Sequence, residues 1–153
     1  MSKEMNMNML GKAGEALVSN LLQEVHGWTV STSVDQYDNT KDMVATRDGV
    51  SQTIEVKTQQ PYHMQNAFTV KANQVQKCKN VDQLVFVETP SEQNGHKVVI
   101  WNSPNRDFFT TTTRDGRKMY CLDKDEMEVM GEFDDFNTVN AFRRHSTSKW
   151  RGQ

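Results

Sequence analysis

The stretch "KDMVATRDGVSQTIEVKTQ", Lys41 to Gln59, decides how the chain is read. Met43 to Thr46 has the composition of a short strand, and Asp48-Gly49 is a strong signal for a two-residue hairpin turn. Val50 to Thr58 then reads as a longer strand, with Val50, Ile54 and Val56 on one face. Because strand side chains alternate, Glu55 and Lys57 share the other face. Asp42, at the start of the first strand, can approach that pair once the hairpin closes. Two converging carboxylates make a hard-oxygen site suited to Mg²⁺. A lysine beside them can orient or deprotonate a water, or stabilise charge on a phosphate. Together these groups are the minimal equipment for metal-assisted phosphodiester hydrolysis. The same Glu-x-Lys spacing also arises from an exposed ion pair on a strand, so the pattern needs support from the rest of the chain.

Upstream, Leu10, Ala13, Leu17, Val18, Leu21, Leu22 and Val25 recur at helical spacing, and His26-Gly27 supplies a stop. Trp28, Val30, Thr32 and Val34 alternate as a first strand, followed by the polar loop "DQYDNT". Downstream, a second helix is predicted over Ala72 to Asn80. "QLVFVE" follows as a largely apolar run suited to a central strand. Asn94-Gly95 turns the chain into "KVVIW". "FFTTTT" and "KMYCL", separated by Asp115-Gly116, read as a hairpin, and a short helix is predicted from Phe136 to Arg144. This order predicts an α/β chain of the α+β kind, with helices packed on a central mixed sheet and extra C-terminal strands. We read residues 1–145 as one domain and 146–153 as a basic tail.

A chain of 153 residues can bury a core of its own. No apolar run approaches the roughly 18 residues of a spanning helix, and "MSKEMNMNML" lacks the pattern of a signal peptide. Cys78 and Cys121 have no metal-ligand spacing and read as free thiols of a reducing compartment. A cytoplasmic protein of a bacterium or of a phage-infected host, with no membrane partner, is the expectation. The formal net charge of −2 hides an uneven distribution. An acidic block runs from Asp123 to Asp135, and a basic segment follows with Arg143, Arg144, Lys149 and Arg151.

"GKAGEALVSNLLQEVHGW", "KDMVA", "IEVKTQ" and "VDQLVFV" together resemble the nuclease core of the PD-(D/E)xK superfamily, nearest its Holliday-junction-resolvase-like branch. The resemblance covers Leu10 to Glu88, and the proline of the motif is replaced by Lys41. It implies a restriction-endonuclease-like fold and an Mg²⁺-dependent DNA endonuclease, with Mn²⁺ as a substitute cofactor. Asp42 and Glu55 would be metal ligands, joined by the Val56 carbonyl. Lys57 would position the attacking water, Glu15 would bind metal through water or orient a ligand, and Gln59 would help hold the water or the scissile phosphate. The resemblance also implies a homodimer acting on duplex or branched DNA.

Glu15 stands at the border of the apolar helix stripe, where it could face the rim of the sheet or simply be solvated. Gly11 and Gly14, unfavourable inside a helix, point to close approach of backbone or phosphate, or to a frayed start. Lys71 and Gln74 are candidate contacts to the DNA backbone. In the tail, Arg143, Arg144, Lys149, Trp150 and Arg151 could neutralise phosphates and stack on a base. A different class of function fits the same fold: a catalytically silent nucleic-acid- or protein-binding module, such as an inhibitor using the acidic block as a DNA mimic. Intact Asp42, Glu55 and Lys57 count against it, because a binding module has no need of all three.

Overall fold

The apolar stripe of the first helix and the alternation of "QLVFVE" together set the layers of the fold. In the computed structural model, which describes residues 7–32 and 42–136, helix α1 spans Met7–Glu24. Strands β1 (Thr29–Thr32), β2 (Met43–Arg47) and β3 (Val50–Gln59) follow. Next come β4 (Ala67–Val70), a 3-10 turn (Ala72–Gln74), the short helix α2 (Val75–Asn80) and β5 (Gln83–Glu88). The chain continues through β6 (Val98–Asn102), β7 (Phe109–Thr112), β8 (Lys118–Asp123) and β9 (Glu128–Phe133).

Among the described residues these strands form a six-stranded sheet, ordered β1-β2-β3-β5-β6-β9, and a three-stranded sheet, ordered β4-β8-β7. The larger sheet is mixed: β3 pairs with β5 in parallel, and its other neighbours are antiparallel. The protein is therefore an α+β molecule built on a mixed sheet. The parallel β3–β5 pair is reached through a crossover that holds β4 and α2.

Both faces of the sheet centre are buried. On one face Leu17, Val18, Leu21 and Leu22 of α1 pack with Ile54, Val56, Val85, Val87 and Ile100. On the other, Phe68 and Leu122 of the small sheet join Cys78 of α2 against Leu84 and Phe86. Phe68 and Phe86 stack with ring centroids 4.7 Å apart. Strand β5 thus alternates between two cores, which is why its sequence reads as one continuous apolar run. Fully burying each of these large side chains contributes about 1.5–3 kcal/mol before ordering costs.

The β2–β3 turn forms as its sequence predicts. Asp48 and Gly49 both have positive φ, 54° and 80°, as a two-residue hairpin of this twist requires. Gly14 is a close-approach glycine: a Cβ there would lie 1.9 Å from Thr58 Oγ1 of β3. Its partner is a strand side chain, neither backbone nor phosphate, and Gly11 has nothing within 4 Å.

Several expected elements change in detail. Val50 is 55% exposed, because the hairpin end of β3 runs beyond the helix layer. The expected helix over Ala72 to Asn80 divides into the 3-10 turn and α2. The "FFTTTT"/"KMYCL" hairpin forms as β7–β8 but belongs to the small sheet. The acidic block, read from its charge alone, contains β9, which buries Met130 and Phe133 against β6. The expected helix over Phe136 to Arg144 and the basic tail lie outside the described residues, apart from Phe136. Cys78 and Cys121 are buried free thiols in separate elements, and among the described residues no helix is long and apolar enough to cross a membrane.

Candidate active site

Asp42 extends the β2–β3 ladder by one residue, its main-chain N–H donating to the Ile54 carbonyl at 2.9 Å. Its side chain then turns across to β3, where Oδ2 accepts from the Val56 N–H at 2.9 Å. In an extended strand a residue's N–H and carbonyl project toward the same edge, so the Val56 carbonyl lies on the Asp42 side of β3. One Asp42 oxygen is thereby fixed, and the other, Oδ1, is left for a cation.

Glu55 is 1% exposed, on the sheet face that carries α2 and the small sheet. Its Oε2 pairs with the Lys57 ammonium at 2.8 Å. Lys57 in turn donates to Gln74 Oε1 at 2.8 Å. The i, i+2 relation of the two residues therefore produces the shared face that the sequence predicts, but on a buried surface.

A second lysine, which sequence reasoning missed, completes the cluster. Lys77 of α2 places its ammonium 3.1 Å from Glu55 Oε1 and 3.6 Å from Asp42 Oδ1. Glu55 Oε1 is close enough for ion pairing but receives no well-directed hydrogen bond among the described residues. The signal for Lys77 was faint, because α2 is six residues long and "VQKCKN" offers little periodicity. The position of α2 is fixed at its C-terminal end by Arg106. That guanidinium donates from Nη1 to the carbonyls of Cys78 at 2.9 Å and Val81 at 2.8 Å, and from Nη2 to that of Asp82 at 3.2 Å. A cation at a helix C-terminus satisfies orphan carbonyls and the macrodipole together.

The other predicted residues divide. Gln59 is engaged with the main chain of Thr69, donating from Nε2 to the carbonyl at 2.9 Å and accepting from the N–H at 2.9 Å. It ties β3 to the small sheet. Gln74 meets Lys57 inside the cluster, whereas Lys71 is an exposed residue at the start of the 3-10 turn. Arg143, Arg144, Lys149, Trp150 and Arg151 lie outside the described residues.

The electrostatics tie Glu15 to the two acids. Partial burial, then the charges of Asp42 and Glu55, raise its pKa to about 7. Burial, then Asp42, likewise raises the Glu55 carboxyl. For Lys77, burial works against the charge, but Glu55 and Asp42 outweigh it and raise its pKa. Burial pushes the Cys78 thiol up to about 11, so it is inert as a nucleophile at neutral pH. Among the described residues, no group of three or more His, Cys, Asp or Glu side chains is placed to hold a metal ion. The acids facing a common point are the pair Asp42 and Glu55.

No protein-family model matches the chain, and no curated protein is significantly similar to it.

Proposed function

We propose that this protein is a metal-dependent DNA endonuclease with a restriction-endonuclease-like core of the PD-(D/E)xK type. One observation carries the reading: Asp42, Glu55 and Lys57 meet at the junction of β2, β3 and α2, with Asp42 Oδ1 and Glu55 Oε1 facing the same cationic point, the Lys77 ammonium. The order of elements agrees with it. The resemblance implies a helix, three strands, a helix and a strand; α1, β1 to β3, α2 and β5 follow that order, with β4 and the 3-10 turn between β3 and α2.

The donor set suits a hard divalent cation. Asp42 Oδ1 and Glu55 Oε1 both face the point held by the Lys77 ammonium, and the Val56 carbonyl lies at the same edge of β3. Asp42, Glu55 and Val56 would hold Mg²⁺, with Mn²⁺ as its substitute. The ion would supply Lewis-acid polarisation of the scissile phosphate. Lys57, steadied by Glu55 and Gln74, would orient the attacking water. Glu15, near neutrality in its titration, would exchange a proton with that water or anchor a metal-ligated one. Gln59 acts through position, holding the small sheet against β3.

A homodimer acting on both strands of duplex or branched DNA, in a bacterial or phage-infected cytosol, completes the proposal. The basic tail would add phosphate contacts. The observation that favours a silent binding module is the pairing of Lys77 with both acids, which leaves the cluster internally neutralised. Incubating supercoiled, linear and four-way-junction DNA with the protein in Mg²⁺ and in EDTA tests the choice. Cleavage confined to Mg²⁺ supports the nuclease, and binding without cleavage of any substrate supports the module.

A further inference from the structure

Asp42 and Glu55 each have two carboxylate oxygens, and three groups face these four atoms. Asp42 Oδ2 is held by the Val56 N–H and Glu55 Oε2 by Lys57. The two oxygens that remain, Asp42 Oδ1 and Glu55 Oε1, both face Lys77. A divalent cation bound by these acids needs those same oxygens. It cannot share them with an ammonium 3.1 Å from one of them, because two like charges at such separation repel strongly in a partly buried site.

Resting on the metal-site reading above, we propose that Lys77 is a built-in occupant of the cation position, which a divalent ion must displace. The chain supports displacement at this residue in particular. Arg106 fixes the main chain at the C-terminal end of α2, while the ammonium sits at the end of a flexible four-carbon stem. Asn80, three residues on from Lys77 and beside it on the helix surface, is exposed, so solvent adjoins the path of the released side chain. Lys57 is held differently. Its second partner is the neutral Gln74 amide, and it pairs with the other Glu55 oxygen, Oε2. The two lysines thus divide the work, Lys57 staying as a ligand-orienting cation and Lys77 leaving. In the metal-free protein Lys77 neutralises two carboxylates that would otherwise repel one another. It also sets the metal concentration at which the site fills.

The test uses the full chain and Ca²⁺ alone, with binding followed by calorimetry and no DNA present. Lys77→Met should bind Ca²⁺ on the order of tenfold more tightly than wild type, each tenfold being about 1.4 kcal/mol. Lys77→Arg should not tighten binding, and Asp42→Asn should lose it. Since Lys77→Met can fail to fold, wild-type protein is also treated with an amine-acylating reagent and mapped by mass spectrometry. Modification of Lys77 should rise several-fold at saturating Ca²⁺. Unchanged or weaker affinity in a folded Lys77→Met, or unchanged labelling of Lys77 at saturating Ca²⁺, overturns the displacement. If no variant binds Ca²⁺ at all, the metal-site reading falls and the displacement with it. Tightened binding in a protein that cleaves no DNA in Mg²⁺ upholds the displacement and rejects the nuclease.

Discussion

The carboxylate of Asp42 is bonded to the main-chain N–H of Val56, 2.9 Å away on the adjacent strand. This bond locks an acid at the edge of β2 onto the residue between Glu55 and Lys57. The placement of Asp42 therefore depends on the β2–β3 register, in which Met43 lies opposite Ile54, more than on its own rotamer freedom. A carboxylate held by main chain in this way is preorganised.

The raised pKa of Glu15 makes a stability prediction. The group moves from 4.5 in the unfolded chain to about 7 when folded. Between those values the folded state binds more protons, so stability is full below about 4.5 and is lost as pH rises through about 7. At about 1.4 kcal/mol per unit, reduced for the partial exposure of Glu15, the loss is about 1–2 kcal/mol. Urea denaturation in EDTA at pH 5 and pH 8 should show Glu15→Gln gaining that much on wild type at the higher pH. An equal stability difference at both pH values would contradict the assignment.

Gly14→Ala should destabilise the fold by about 1–3 kcal/mol through overpacking, since its Cβ would sit 1.9 Å from Thr58 Oγ1. Adding Thr58→Ala should recover part of the loss, because it removes the hydroxyl but leaves the Thr58 Cβ at 3.0 Å. Additive denaturation midpoints for the pair would show that the two residues do not meet.

Arg106→Ala leaves the carbonyls of Cys78, Val81 and Asp82 without their cation. Charge-assisted hydrogen bonds of this kind contribute about 1.5–3 kcal/mol. Hydrogen exchange should report the loosening first in α2, with β5 and α1 protected to nearly the same extent as before. Uniform loss of protection across the chain would mean that Arg106 supports the whole fold and not α2 in particular.

Ion identity gives an independent check. Ca²⁺ is larger than Mg²⁺ and less strict in its geometry, so it should support DNA binding with little cleavage, while Mn²⁺ restores cleavage. Full cleavage in EDTA would remove any metal mechanism.

How far these features could be read in the sequence follows from where the physics is local. The β2–β3 hairpin was legible because Asp48-Gly49 demands positive φ at both positions. The pairing of Glu55 with Lys57 followed from strand alternation. Lys77 was not legible, because what brings it to Asp42 and Glu55 is the docking of a six-residue helix by a distant arginine. Strand β9 was hidden by its charge. A register shift between Ile100 and Trp101 breaks the two-residue alternation of β9, so its buried Met130 and Phe133 stand among Glu128 and Glu132 without the regular pattern of a half-buried strand. The short β4 escaped because its four residues follow a proline-led loop and pair with β8, far along the chain.

The central claim is that Asp42 and Glu55 form one metal-dependent hydrolytic site. The most direct measurement is cleavage of plasmid and four-way-junction DNA in Mg²⁺ by wild type, Asp42→Asn and Glu55→Gln, each first shown to be folded by circular dichroism. The account predicts Mg²⁺-dependent cleavage by wild type and a loss of about two to three orders of magnitude in either variant, as removal of a metal ligand implies. Cleavage by either variant at the wild-type rate would contradict it.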